Sequence, residues 1–168
     1  MAQRTIATGL VERVFYAEYL TLMYDAESLS ERFPFAKYHA EWKLVTWFPT
    51  GELDNDGADR IVEFLESQEK IEGVAFHRYT DMTGIKRIQL GLDHVVRLAR
   101  RRKRGYKGPP VKSAFYAMRL ISLSIARMYE ELMVGSDIRI CTFRDRAIAA
   151  KWLGVPETIL TPKNGQSA

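Results

Sequence analysis

Residues Glu41–Leu53, EWKLVTWFPTGEL, decide how the chain is to be read. Side chains alternate across an extended backbone. Trp42, Leu44, Thr46 and Phe48 therefore fall on one side, and Val45 and Trp47 on the other. Apolar residues on both sides predict a strand covered on both faces, as in a sheet lying between helices. Pro49 and Gly51 end it. The period then changes. In residues 54–70, DNDGADRIVEFLESQEK, Asp54 to Asp56 offer side chains that cap a helix, and Ile61, Val62, Phe64 and Leu65 form its inner face.

The same alternation continues outward. GVAFHRY (73–79) reads as a strand, and GLDHVVRLARRRKRG (91–105) as a helix starting at Asp93 and stopping at Gly105. PPVKSAFYAM (109–118) is a strand whose prolines stand at its entrance, where a missing N–H is tolerated. SLSIARMYEELMVG (122–135) is an amphipathic helix stopped by Gly135, DIRICTF (137–143) a strand, and RDRAIAAKWLGV (144–155) a closing helix. Strand–helix alternation from residue 41 to 154 predicts an α/β fold with a mainly parallel sheet and right-handed crossovers. Sheet segments are expected near 42–48, 73–79, 111–117 and 137–143. The expected core holds Trp47, Phe64, Val74, Phe76, Val111, Ile125, Met128, Ile140 and Trp152.

Upstream, TGLVERVFYAEYLTLMY (8–24) fits helical spacing better than alternation, and DAESLSERFPF (25–35) is a connection broken at Pro34. The expected division is a helical N-terminal extension over 1–35, one domain over 36–155 and a tail over 156–168, loosely held beyond Thr161. Val14, Phe15, Tyr19 and Leu22 form a candidate contact for a homodimer.

The 168 residues are 46% hydrophobic and 27% charged, the composition of a folded domain with a real core. One cysteine, Cys141, allows no intrachain disulfide and suits a reducing, cytoplasmic setting. The first ten residues, MAQRTIATGL, lack the apolar stretch of a secretory signal. No apolar run approaches the ~20 residues of a spanning helix.

Few motifs carry chemistry. Glu52, Asp54, Asp56, Gly57 and Glu63 fall at positions 1, 3, 5, 6 and 12 of a calcium loop. A strand with Pro49 and Gly51 precedes them where a helix should end, and Asp59 stands where an aliphatic residue belongs. Acidic residues in the first turn of a helix explain the same letters through the helix dipole. His39, His77 and His94 have no metal-type neighbour at i+3 or i+4, and Cys141 is alone. There is no G-x-S-x-G, P-loop or G-x-G-x-x-G. Neither a metal nor a cofactor is expected. The basic run VVRLARRRKRGYKGPPVK places Arg97, Arg100, Arg101, Arg104 and Lys107, with Arg102 and Lys103, at the end of one helix. It is either a solvated, dipole-favoured helix end or an anion surface for nucleic acid, acidic lipid or an acidic protein.

The pattern WFPTGEL, a helix, FHRYTDMT, then IARMYEEL and ICTFRDRAIAAKWL, in that order over roughly residues 40–154, resembles the SpoIIAA-like (STAS/Sec-type) family of small bacterial proteins. The resemblance implies a sheet of about four to five strands, mainly parallel, with helices packed mainly on one side. It also implies a binding or regulatory module rather than a catalyst. Better-known relatives are anti-anti-sigma factors, which bind a kinase-like partner and are switched by phosphorylation in an Asp-Ser-Ser/Thr-Gly turn. A more distant likeness connects the fold to lipid-transfer domains. Asp81, Met82, Thr83 and Gly84 match the switch turn, with Met82 replacing the first hydroxyl residue. Here IKRIQLG separates the turn from the next helix, so Arg78, Thr80 and Asp81 match the subgroup's Arg-aromatic-Thr-Asp turn better. The loop site is thus Arg78, Thr80, Asp81, Thr83 and Gly84, with Asp81 accepting backbone N–H groups, Gly84 supplying a permissive conformation and Arg78 pairing with Asp81 or another carboxylate. The expected function is a non-enzymatic, cytoplasmic regulatory or ligand- and protein-binding module. The alternative is an anion-binding adaptor that contacts acidic lipid or nucleic acid through the basic helix end.

Overall fold

Strands and helices alternate through the computed structural model, which describes residues 36–70 and 75–162. Their order is β1 (Ala36–His39), β2 (Leu44–Trp47), β3 (Gly51–Asp54), α1 (Asn55–Glu69), β4 (His77–Asp81), β5 (Ile85–Gln89), α2 (Leu92–Gly105), β6 (Val111–Tyr116), α3 (Leu120–Leu132), β7 (Ile138–Phe143) and α4 (Arg146–Leu153). Five strands form one sheet in the order β1-β2-β4-β6-β7. β1 runs antiparallel to β2, and the other three pairings are parallel.

β2, β4, β6 and β7 are laid down side by side in chain order, so crossovers of one hand carry α1, α2 and α3 over the same face. Ala58 and Val62 of α1 pack on Leu98 of α2, and Ala99 of α2 packs with Val111 and Ile138 of the sheet. α4 covers the opposite face, where Ala149, Ala150 and Leu153 meet Leu44, Tyr79, Ala114 and Phe143. Three helices on one side and one on the other is a mainly one-sided α/β arrangement. Leu160, in a 3-10 turn over Glu157–Leu160, is also wholly buried in this second layer.

Residues 41–53 do not form one strand. A 3-10 turn at Ala40–Trp42 and Lys43, at φ 45°, come before β2, and Gly51, at φ 80°, turns the chain out of the sheet. Pro49 has no N–H to continue the ladder. Gly51–Asp54 instead pairs in parallel with Ile85–Gln89, making a separate two-stranded sheet. The stretch that reads as spacer before α2 is therefore β5. Asp54 caps α1, accepting the Gly57 N–H at 2.7 Å, and Glu52 faces Arg87 across β3 and β5 at 3.6 Å. The calcium-like spacing thus spans a strand, a cap and a helix, not a loop. α2 starts at Leu92, with Gly91 rather than Asp93 at its cap; the Gly91 N–H is donated to Asn55 Oδ1 at 3.1 Å.

Of the expected core, Phe76 and Val111 are buried. Trp47, Phe64, Ile125, Met128, Ile140 and Trp152 are only half-buried. Trp47, Phe64, Ile125 and Ile140 border open space, Phe64 and Ile140 while also packing on core residues. Trp152 lies at the margin of its layer, 5.5 Å from the Phe143 ring. Val74, the N-terminal extension and the candidate dimer contact lie outside the described residues.

Candidate functional site

A cavity of about 170 Å³ lies between the sheet and α1–α3. Its wall is mostly apolar, with Val62, Val95, Leu98, Phe115, Ile125 and Ile140 among its lining residues. Polar groups reach it from Arg78, Arg102, Thr80, Ser113 and Tyr129. Strand alternation explains the placement. Arg78 and Thr80 of β4 point to the cavity side with Phe76, while Tyr79 and Asp81 point to the α4 side.

Beside the cavity, two guanidiniums share one carboxylate. Arg102 grips Glu69 with both terminal nitrogens, at 2.6 and 2.8 Å. Arg78 donates to the same carboxylate through Nη2. The three side chains are 2%, 7% and 10% exposed for Arg102, Arg78 and Glu69, so two cations and one anion are held out of water. Glu66 stands 3.9 Å from Arg102, but its carboxylate is engaged by Arg101 in a two-pronged pair at 3.0 and 2.5 Å. The cluster ties the end of α1 to α2 and to the sheet. Burial pulls the Arg78 guanidinium below its ordinary range, partly offset by Glu69. Burial acts the same way on Arg102, but the Glu69 hydrogen bond and charge outweigh it and raise the net value. Arg78 also lies over the Phe76 ring, 5.0 Å from its centre. Its Nε is buried and has no hydrogen-bond partner among the described residues.

Arg102 and Glu69 were missed as site residues by sequence reasoning, which placed Arg102 only in the basic run. A signal was present: Arg102 follows Val95, Leu98 and Ala99 at helical spacing, and so lies on the buried stripe of α2. Glu69 carried the same signal, since it follows Val62 and Leu65 at helical spacing on the inner face of α1.

The turn after β4 forms a second constellation on the other face. Asp81, 2% exposed, accepts the Thr83 N–H at 3.0 Å and the Thr83 hydroxyl at 2.5 Å on Oδ1. Its Oδ2 accepts Arg146 Nη2 at 2.8 Å. Arg146 also donates to the Tyr79 hydroxyl at 3.3 Å and stacks over Tyr116, 4.4 Å from the ring centre. Burial, then the Asp81 charge, push the Tyr79 phenol well above its ordinary range. One expectation is met by its second alternative and one fails. Arg78 pairs with another carboxylate, Glu69, rather than with Asp81, because the two residues of β4 face opposite sides of the sheet. Gly84 has no positive φ. It is required instead by close approach, since a Cβ there would come within 2.7 Å of the Pro49 carbonyl oxygen. The five loop residues are therefore divided, with Arg78 and Thr80 at the cavity and Asp81, Thr83 and Gly84 in the turn.

The basic run is divided as well. Arg101 binds Glu66, Arg97 meets His94 Nδ1 at 2.9 Å and Lys103 donates to the Val134 carbonyl. Arg100, Arg104 and Lys107 remain exposed. Cys141 is half-buried; burial and Glu130 push its thiol up. Among the described residues no group of three or more His, Cys, Asp and Glu side chains could hold a metal ion, and no helix is long and apolar enough to cross a membrane.

No family model matches the chain, and no curated protein matches it. Among solved structures it is similar to an uncharacterized protein from the DUF3478 family with a SpoIIAA-like fold, from Shewanella loihica PV-4. That likeness has 17% identity and a TM-score of 0.43, covering 66% of this chain and 83% of the other. It carries the same fold name that the ordered sequence motifs imply.

Proposed function

We infer that this chain is a non-enzymatic binding module that holds a small, largely apolar ligand between its sheet and α1–α3. The supporting observation is the cavity of about 170 Å³ with its apolar wall. An apolar cavity of about 150 Å³ stays dry and takes up benzene. Space of this size in a close-packed interior forfeits dispersion contacts, which a fitting ligand restores. The wall offers apolar surface and a few hydrogen-bonding groups, the usual make-up of a small-molecule site. A ligand there touches α1, α2 and α3 together, so its occupancy can be passed to an outer helical surface and read by a protein partner.

The test is saturable binding of a plain apolar probe. 1-Hexanol titrated into the labelled protein is expected to shift methyl resonances of Val62, Ile125 and Ile140 along one saturating curve. Ala126→Leu, which fills the wall from α3, is expected to abolish those shifts while leaving the fold intact. Non-saturating shifts, or shifts unchanged by Ala126→Leu, would remove the reading.

A second reading is favoured by exposed Arg100, Arg104 and Lys107, which form no ion pair among the described residues. They leave a smaller anion-binding face than the sequence run suggests. Contact with acidic lipid or nucleic acid through it requires binding that falls steeply with salt.

A further inference from the structure

We propose that the ligand of this cavity carries a single carboxylate, received by Arg78 while its apolar tail lies along the wall formed by α1–α3. The inference rests on the cavity reading above and adds the chemistry of the ligand's head. Three observations carry it. First, the buried cluster beside the cavity is short of negative charge: Arg78 and Arg102 share Glu69, and the neighbouring Glu66 is already paired with Arg101. Second, Arg78 is 6% exposed, lines the cavity and has a buried Nε with no partner among the described residues. A buried donor left unpaired is costly, and a guanidinium presents its donors in a planar fork suited to a carboxylate. Third, Ser113 stands directly across the β4–β6 ladder from Arg78 and lines the same space, placing a hydroxyl beside the guanidinium.

Charge and size narrow the ligand. One added anion would match the two guanidiniums of Arg78 and Arg102 to two carboxylates, whereas a cationic or dianionic head would leave a buried imbalance. The volume of about 170 Å³ fits a tail of about six carbons or one aromatic ring better than a long acyl chain. The class is therefore a short- or medium-chain, or simple aromatic, monocarboxylic acid.

Calorimetric titration of the full chain with hexanoate, 1-hexanol and hexylamine separates this inference from the reading it rests on. Hexanoate is expected to bind about tenfold or more tightly than 1-hexanol, as a charge-assisted hydrogen bond in a buried site requires, and hexylamine not at all. Arg78→Met keeps an unbranched apolar side chain, and is expected to erase the preference for hexanoate over 1-hexanol. If hexanoate and 1-hexanol bind wild type equally, the carboxylate assignment is overturned and the cavity reading stands. If neither binds saturably, both are overturned. Should Arg78→Met fail to fold, the wild-type comparison of the two ligands already decides.

Discussion

The two faces of the five-stranded sheet solve the same packing problem differently. On the α4 side Leu44, Tyr79, Ala114, Ala149 and Leu160 have no exposure and pack in one cluster. On the α1–α3 side the layers stand apart around a cavity, and its half-buried apolar residues share the space with a buried Arg–Glu–Arg cluster. On the packed face alanines at 114, 149 and 150 lie among Phe48, Tyr79 and Phe143 and let one short helix approach closely. On the other face Ala58, Val62, Leu98 and Ala126 of three helices line the open space together with larger residues of the sheet and helices. One face has the character of a scaffold and the other that of a container.

The comparison can be broken most sharply at Glu69. Glu69→Gln removes the carboxylate that holds both buried guanidiniums, and breaking a buried pair in this way costs about 3–5 kcal/mol. Urea denaturation is expected to show a loss of that order, in contrast to replacement of Glu52, whose pair with Arg87 is exposed. A loss below ~1 kcal/mol would mean that the cluster is not held out of water.

A smaller effect sharpens the contrast in packing. Ala114→Val puts two methyl groups into the close-packed face and is expected to cost about 1–3 kcal/mol. Val95→Ile puts one methyl group into the cavity wall and is expected to change stability by between nothing and a gain of about 1 kcal/mol. Equal penalties for the two would show that the faces are packed alike.

The smallest effect is a pH slope from the packed side. His77, alternating with Arg78, points with Tyr79, and its Nδ1 accepts the Lys112 N–H at 3.0 Å. Burial, then the charges of Lys112, Arg78 and Lys43, lower its pKa below the ordinary 6.5. The unfolded chain then binds this proton more readily than the folded one. The stability that His77 contributes is therefore complete above pH 6.5 and lost as the pH falls through the window beneath it. Thermal unfolding measured across that window is expected to lose part of its slope in His77→Asn. An unchanged slope would assign the pH dependence to other groups.

Much of the fold is legible in particular residues. The alternation at Leu44–Trp47, the cap at Asp54 and the glycine at 135, with φ 80°, are local choices that the backbone makes within a few residues. The pairing of Gly51–Asp54 with Ile85–Gln89 is not local, because α1 and β4 lie between the two partners in the chain. The site follows the same division. Thr83 and Asp81 are two residues apart, and a turn between them is readable. Arg78, Glu69 and Arg102 come from a strand and two helices, and Arg146 reaches Asp81 from 65 residues away.

By itself the sequence determined the α/β order, the parallel strands at the centre of the sheet and the face toward which each helix turns its apolar stripe. Periodicity and capping act over one or two turns of chain, so they survive in the letters. Only the tertiary structure decided that the space under α1–α3 stays open, that Arg78 and Arg102 share Glu69 and that Arg146 is the partner of Asp81. Those outcomes depend on how far apart whole layers settle and on which charges are enclosed together. Both are sums over residues distant in the chain, and no single stretch records them.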